Sequence, residues 1–144
     1  GFSLLAHTAS REAEVAVNHI LGIEDRMEYN AIPGVVYTNP EVSSVGLTEE
    51  QATKEGVEYT LHKLPMTYAG CFVAENEGQM GLCKILVSPD NRVLGVHMLG
   101  NPCSEFICAA CMAITNGLTV EQLRRTVFPH PTVSEILKEG LFEL

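Results

Sequence analysis

A histidine flanked by two prolines lies near the C-terminal end of the chain, at Pro129-His130-Pro131. Proline has no backbone N–H to donate, and its ring restricts the residue before it to extended conformations. A regular helix or a central strand therefore cannot run through this segment. The sequence predicts that His130 is presented on a rigid turn.

The residues after this turn have the form of a helix N-terminus. Thr132 and Glu135 have the spacing of a capping box, and helix-forming residues follow at 136–139. Imidazole exchanges protons near neutral pH, and a carboxylate bonded to one ring nitrogen fixes which nitrogen carries the proton. Two interpretations stay open: Glu135 and His130 form an acid/base pair, or Glu135 only caps the helix and His130 is an ordinary turn residue.

Composition predicts one soluble domain. The chain has 144 residues, of which 46% are apolar, enough to enclose one core. Its 18 acidic and 9 basic side chains give a net charge of −9, which is unsuited to binding nucleic acid or an anionic membrane, so we expect neither partner. Five cysteines, an odd number lying mostly in apolar segments, favour free thiols in the reducing cytoplasm over a disulfide framework.

Hydrophobic spacing divides the chain into a helix, several strands and then further helices. Residues 4–21 have helical spacing that ends at Gly22. Two apolar runs around Ser88-Pro89-Asp90-Asn91 predict an antiparallel hairpin of residues 81–87 and 92–99. The other predicted strands are residues 35–38, 43–47 and 58–66, and the other predicted helices follow Thr48, cover residues 104–113 and follow Thr119. This order predicts an α+β fold in which helices cover one face of an antiparallel sheet.

The cysteine patterns are interpreted as packing rather than chemistry. Cys108 and Cys111 fit C-x2-C, and Cys103 and Cys108 fit C-x4-C, but the predicted helix that carries this segment should be buried on nearly every side. The histidines are too scattered to complete a zinc site, so we predict no metal. His62 and His97 lie in predicted strands and are expected to be satisfied structural residues. No phosphate-binding glycine motif is present, so we do not expect this chain alone to bind a dinucleotide.

Several separated blocks together resemble the C-terminal interface, or dimerisation, domain of the flavin-dependent, class I pyridine nucleotide-disulfide oxidoreductases. The most specific block is His130-Pro131-Thr132-x-Ser134-Glu135. The other blocks are Leu5-Ala6-His7, Tyr37-Thr38-Asn39-Pro40-Glu41-Val42 with Val45-Gly46-Leu47, residues 81–86, and Arg92-Val93-Leu94-Gly95. The resemblance implies that residues 1–22 are a terminal helix left over from the FAD domain and that residues 33–144 are the interface domain.

The resemblance also implies the roles of individual residues. His130 would be the general acid and base that faces a catalytic dithiol, and Glu135 would orient it. The start of the first helix would contact the flavin, and the turn would approach the flavin of the other subunit through a His-Pro bond that is typically cis in this family. The residues so implied in cofactor binding are Leu4, Leu5, Ala6, His7, His130 and Pro131.

Within the family, Ser134-Glu135-Ile136 favours the branch that oxidises dihydrolipoamide. The resemblance implies a full-length homodimeric parent that uses FAD and NAD. Its partners would be the lipoyl domains of 2-oxoacid dehydrogenase or glycine cleavage complexes, in the cytoplasm or, in a eukaryote, the mitochondrial matrix. The 144 residues lack the FAD and NAD domains and the redox disulfide, so we expect the chain alone to be inert and to hold no cofactor. The alternatives are a glutathione-reductase-like sister enzyme and a free-standing, non-catalytic dimerisation module.

Overall fold

The chain folds into one antiparallel sheet with helices packed against it, in a computed structural model that describes residues 3–143. The predicted α+β class is confirmed. The strands are β1 (Gly34–Val36), β2 (Val42–Gly46), β3 (Thr60–Pro65), β4 (Leu82–Val87) and β5 (Val93–Leu99). The helices are α1 (Ala6–Ile20), α2 (Glu49–Glu55), α3 (Gly70–Glu75), α4 (Cys103–Thr115), α5 (Val120–Arg124) and α6 (Glu135–Phe142), with 3₁₀ turns at Tyr29–Ala31 and Met66–Tyr68.

The two predicted parts, residues 1–22 and residues 33–144, each include terminal residues that the structure does not describe. Residues 1, 2 and 144 belong to those parts and lie outside the described residues. Among the helices that are described, none has the length and apolar character that crossing a bilayer requires.

The strands follow the order β1-β2-β5-β4-β3, and each neighbouring pair is antiparallel. The predicted hairpin is formed by β4 and β5. Its turn places Asn91 at a positive φ of 62°, a conformation that asparagine tolerates better than most residues. The hairpin therefore forms from local sequence signals, and β5 then adds β2 on its other side.

One face of the sheet is covered by α4 and α6. Strand alternation and pairing register place Met98, Val96 and Ile85 on this face, and each is at most 2% exposed. Gly140 allows α6 to approach closely, because a Cβ at that position would lie 2.6 Å from Cδ1 of Ile85. This packing fixes the helix whose first turn carries the candidate site.

The other face of the sheet carries a row of partly exposed apolar side chains. Val36, Val42, Leu99 and Leu82 lie opposite one another on four adjacent strands. They are 55%, 40%, 38% and 37% exposed, respectively. Only one face of the sheet is therefore fully buried by this chain, as the sequence pattern predicts.

Capping boxes begin two of the short helices, as predicted. The Thr48 hydroxyl accepts a bond from the Gln51 N–H at 3.1 Å, and Thr119 accepts one from Gln122 at 3.3 Å. Each glutamine side chain accepts the threonine N–H in return. Helix α3 is not predicted by the sequence, because no side chain caps its start. Phe72, which is fully buried, anchors α3 in the core instead.

The expectation that the predicted 104–113 helix is buried on nearly every side is wrong for this chain. Helix α4 buries Cys103 and Ile107, but Cys108 is exposed and Met112 is 59% exposed. Packing therefore explains Cys103 but not Cys108, and Cys111 is half-buried. All five cysteines of the chain are free thiols.

The expectation for the two strand histidines is right for one and wrong for the other. His97 donates from Nε2 to the Leu47 carbonyl at 2.9 Å. The Nε2 atom of His62 is buried and has no hydrogen-bond partner within residues 3–143. Burial lowers the pKa of His62, and the nearby charge of Glu143 opposes that shift. The cost of ionising His62 under α6 favours its neutral form.

Helix α1 is held mainly by polar contacts. Thr8 is the buried residue of α1, whereas Val17 and Ile20 are 53% and 81% exposed. Arg11 donates to Asp25 in the following connection at 2.9 Å, and this bond, together with those from Asn18 and the Arg26 N–H, lowers the pKa of Asp25 to about 2. The apolar side chains of Val17 and Ile20 thus lie at the surface of this chain.

Candidate active-site turn

Apolar residues on both sides hold the Pro129-His130-Pro131 turn against the core. Phe128 packs on the core before the turn, and Val133 and Ile136 after it are 5% and 0% exposed. The segment runs in neither a helix nor a strand, as predicted, and the His130–Pro131 peptide bond is cis, as the resemblance implies. The side chain of His130 itself is 81% exposed. The turn is thus held against the core while the imidazole ring of His130 lies at the surface.

His130 and Glu135 lie in direct hydrogen-bond contact. Nδ1 of His130 is 3.0 Å from Oε1 of Glu135 and 3.1 Å from Oε2. An ionised carboxylate can only accept, so the imidazole donates and its Nδ1 carries the proton. The other ring nitrogen, Nε2, makes no hydrogen bond within the described part of the chain. Nε2 is therefore available to a group that binds at the exposed ring.

Glu135 also binds the backbone of the turn. The Thr132 N–H donates to Oε2 of Glu135 at 3.0 Å, which is half of the predicted capping box. The other half is absent, because the Glu135 N–H donates to the Thr132 carbonyl at 3.4 Å rather than to its hydroxyl, which itself donates to the Pro129 carbonyl at 2.8 Å. The prediction of a complete capping box is therefore wrong. The carboxylate joins His130 to the turn, so elements of both interpretations occur together.

The bonds to Glu135 stabilise its ionised form. The Thr132 N–H lowers the pKa of Glu135 most, and the bond to His130 lowers it further, against an opposing effect of partial burial. The side chain of Glu135 is only 15% exposed. A negative carboxylate is thus held beside the imidazole near neutral pH.

This arrangement can transfer a proton at Nε2 of His130. With Nδ1 protonated, Nε2 carries a lone pair and can accept a proton from an acidic group. The imidazolium that results is stabilised by the Glu135 carboxylate and can return the proton. The pair therefore has the geometry of a general acid and base.

The structure does not join the two groups of candidate cofactor residues. His130 and Pro131 lie in the turn, whereas residues 4–7 open α1. In that second group Leu4 is 98% exposed, Leu5 and Ala6 are also exposed, and His7 donates to the Pro33 carbonyl at 2.9 Å. Between the two groups, residues 3–143 provide no hydrogen bond or ion pair. Helix α1 is instead tied to the start of the sheet.

Cys71 lies within electrostatic reach of Glu135, a placement that the sequence does not predict. Its thiol donates to Glu75 at 3.1 Å. That bond raises the pKa of Cys71, and burial and the charges of Glu75 and Glu135 raise it further. Cys71 belongs to no motif, and only the fold brings α3 close to the start of α6. No sequence signal could have identified it.

Comparisons with known proteins agree with the resemblance. The chain is 41% identical over 138 residues to dihydrolipoyl dehydrogenase 1, mitochondrial, of Arabidopsis thaliana, a match that covers 95% of this chain and 27% of that protein. It is 40% identical over 138 residues to the mitochondrial dihydrolipoyl dehydrogenase of Caenorhabditis elegans, covering 95% of this chain and 28% of that protein. The crystal structure of LpdA from Mycobacterium tuberculosis shares the fold, with a TM-score of 0.91 and 24% identity over 99% of this chain and 31% of that one.

The chain spans 27% and 28% of the two curated relatives, so it matches one part of proteins that are several times longer. That part corresponds to a defined domain. The family model described as the pyridine nucleotide-disulphide oxidoreductase, dimerisation domain, matches residues 32–141. Because this match includes the whole sheet and the turn that carries His130, the chain belongs to the pyridine nucleotide-disulphide oxidoreductase dimerisation domain family.

Proposed function

We propose that this chain is the C-terminal dimerisation domain of a dihydrolipoyl dehydrogenase and supplies the acid/base pair for oxidation of dihydrolipoamide. The observation that carries the proposal is the bond of 3.0 Å between His130 Nδ1 and Glu135, which leaves Nε2 of an exposed ring available. The names of the two relatives that are 40% and 41% identical support the choice of substrate.

The chemical role of His130 is to move protons to and from thiols. A thiolate, not a thiol, attacks a disulfide sulfur, so a base beside the substrate thiol accelerates thiol–disulfide exchange. Nε2 of His130 accepts that proton, and Glu135 stabilises the imidazolium. Glu135 also keeps the proton of the neutral ring on Nδ1, so that Nε2 is the basic nitrogen at each turnover. His130 then returns the proton to the departing thiolate.

We propose that the chain supplies only a small part of a flavin-binding site. The start of α1 offers exposed apolar side chains that suit a flat ring, with Leu4 98% exposed. The sequence carries no glycine motif of the kind that cradles phosphates. FAD and NAD in the full-length protein would accept the two electrons released as two thiols become a disulfide. We propose that Leu4, Leu5, Ala6 and His7 lie against the flavin of their own subunit, and that His130 and Pro131 lie against the flavin of the other subunit.

We propose that the active site is completed by a second subunit. His130 is 81% exposed, and its ring nitrogen Nε2 faces no thiol of its own chain in the hydrogen bonds of residues 3–143. The matched family is named for dimerisation. A partner subunit would therefore supply the redox disulfide and the flavin, and the isolated chain would be inert.

We propose a domain boundary after α1. The family model begins at residue 32. Val17 and Ile20 of α1, and Leu21 directly after it, are 53%, 81% and 66% exposed, which suits a helix that packs against a domain other than its own sheet. Residues 1–22 would then belong to the FAD domain and residues 33–144 to the interface domain.

The cellular setting follows from the proposed enzyme. The two relatives are named as mitochondrial. We propose the mitochondrial matrix for a eukaryotic parent and the cytoplasm for a bacterial one. The partners would be lipoyl domains of 2-oxoacid dehydrogenase or glycine cleavage complexes.

The test replaces His130 with glutamine in the full-length enzyme. We expect His130→Gln to lower turnover of dihydrolipoamide by about 10²- to 10⁴-fold, the usual cost of losing a positioned base. Flavin content and subunit assembly should be unchanged. His19→Gln, an exposed histidine on α1, is the matched control and should retain full turnover. Full turnover in the His130→Gln enzyme would contradict the proposal and favour a non-catalytic module.

A further inference from the structure

The ring of His130 is oriented by hydrogen bonds rather than by packing. Its side chain is 81% exposed, so neighbouring atoms do not restrict it on most sides. Its one hydrogen-bonding residue within residues 3–143 is Glu135. Whatever fixes Glu135 therefore also fixes His130.

Thr132 contacts both ends of this arrangement. Its backbone N–H donates to Oε2 of Glu135 at 3.0 Å, and its hydroxyl donates to the Pro129 carbonyl at 2.8 Å. Pro129 directly precedes His130, so Thr132 links the backbone entering the histidine to the carboxylate that the histidine binds. The two bonds close a loop around His130 and Pro131.

A second hydroxyl supports Thr132. The Oγ atoms of Thr132 and Ser134 are 2.8 Å apart. Thr132 has a single hydroxyl proton, and the bond to Pro129 uses it. Ser134 must therefore donate to Thr132, which gives a chain of hydrogen bonds from Ser134 through Thr132 to Pro129. The threonine hydroxyl thus donates one hydrogen bond and accepts another.

We propose that Thr132 is a positioning residue for the acid/base pair and acts through Glu135. The proposal rests on the proposed function of His130. The threonine hydroxyl holds its own peptide N–H towards Oε2, and this keeps the carboxylate in line with Nδ1 of His130. Without the hydroxyl bond, the loop relaxes, and the proton of the neutral ring is no longer confined to Nδ1. A fraction of His130 would then carry its proton on Nε2 and could not act as the base.

The first test reads the tautomer of His130 directly by ¹⁵N NMR of the 144-residue chain. We expect Nδ1–H in the unchanged protein and an increased population of Nε2–H in Thr132→Val, which keeps the shape of threonine but removes its hydroxyl. Thr132→Ser retains the hydroxyl and should restore the original tautomer. Thr53→Val is the matched control, because the Thr53 hydroxyl also donates to a backbone carbonyl, that of Glu49 at 2.8 Å. An unchanged tautomer in Thr132→Val would overturn the proposal.

The second test measures turnover of dihydrolipoamide in the full-length enzyme. We expect Thr132→Val to lower kcat by about tenfold with KM little changed, because misplacing a catalytic group affects the reaction more than binding. Thr132→Ser should remain within about twofold of the unchanged enzyme. If Thr132→Val does not fold, Ser134→Ala, which removes only the donor to Thr132, should give a smaller loss of the same kind. Loss of turnover in neither Thr132→Val nor Ser134→Ala would overturn the proposal.

The two hypotheses fail in different ways. If His130→Gln retains full turnover, the proposed acid/base function is wrong. If His130→Gln loses turnover but the threonine and serine variants do not, the function stands and the positioning role of Thr132 is wrong.

Discussion

At the scale of single residues, Glu135 shows what local sequence can and cannot predict. The spacing from Thr132 predicts that Glu135 lies in the first turn of a helix, and α6 begins at Glu135. The same spacing fits a helix cap and a partner for His130, so sequence cannot choose between them. In the folded chain Glu135 does both, because Oε2 accepts the Thr132 N–H and both carboxylate oxygens lie within 3.1 Å of Nδ1 of His130. The spacing alone cannot show that one carboxylate binds both groups.

The pKa of Glu135 predicts how the stability of the chain depends on pH. The pKa is lower in the folded chain than the ordinary value of 4.5, so ionised Glu135 favours folding at pH values above 4.5. This contribution is lost as the pH falls through the folded pKa. We expect Glu135→Gln to lower the free energy of unfolding near pH ~6.5, and the difference from the unchanged chain to shrink towards pH ~3.

Urea unfolding of both chains across this pH range measures the effect. Glu58→Gln, which neutralises an exposed carboxylate, is the control and should change stability little at any pH. A difference between the Glu135 variant and the unchanged chain that stays constant with pH would show that charge at Glu135 does not contribute.

At the scale of helices and strands, features built from residues close together in sequence are predicted, and features that depend on distant residues are not. The capping boxes of α2 and α5 each lie within four consecutive residues and are predicted correctly. Helix α3 has no such signal and forms around the buried ring of Phe72, whose contacts come from the folded core. Sequence also gives no sign that Nε2 of His62 lacks a hydrogen-bond partner within residues 3–143, because its burial depends on α6 packing over β3.

Helix α4 is capped by Glu41, a residue far away in sequence. Pro102 at its N-cap position has no side-chain bond to offer, and the Ser104 N–H donates instead to Oε2 of Glu41 at 2.9 Å. Glu41 directly precedes β2, and its own carbonyl accepts the Gly100 N–H at 2.9 Å. A carboxylate at the positive end of a helix also interacts favourably with the helix dipole.

Removing this cap should destabilise the fold. We expect Glu41→Ala to lower the free energy of unfolding by about 1 kcal/mol, a typical cost of losing a helix cap. Glu41→Gln keeps an oxygen acceptor and should lose less than Glu41→Ala. Chemical unfolding monitored by circular dichroism would test both. Equal losses in the two variants would show that the hydrogen bond to Ser104 is not what Glu41 contributes.

At the scale of the whole molecule, the sequence predicts the layers but not the strand order. The β4–β5 hairpin is predicted by its turn, but the pairing of β5 with β2 depends on contacts such as Val42 opposite Leu99, far apart in sequence. The resemblance identifies the family, and the family model that matches residues 32–141 confirms it. The sequence pattern predicts more burial of α4 than the structure shows. A helix that is apolar on nearly every side is normally buried all round, and in this chain one side is open.

A second copy of the chain would resolve that conflict by covering the open side of α4. The matched family is a dimerisation domain, and Met112 is 59% exposed on a helix whose buried side packs on β2 and β5. We therefore expect the 144-residue chain to be a dimer by light scattering at ~100 μM. Placing a charge at an apolar contact is costly, so Met112→Glu should weaken the dimer by about 100-fold. Met80→Glu, a change at another exposed methionine, 87% exposed and outside α4, should leave the dimer intact. A monomeric unchanged chain, or a dimer that tolerates Met112→Glu, would contradict this placement of the contact.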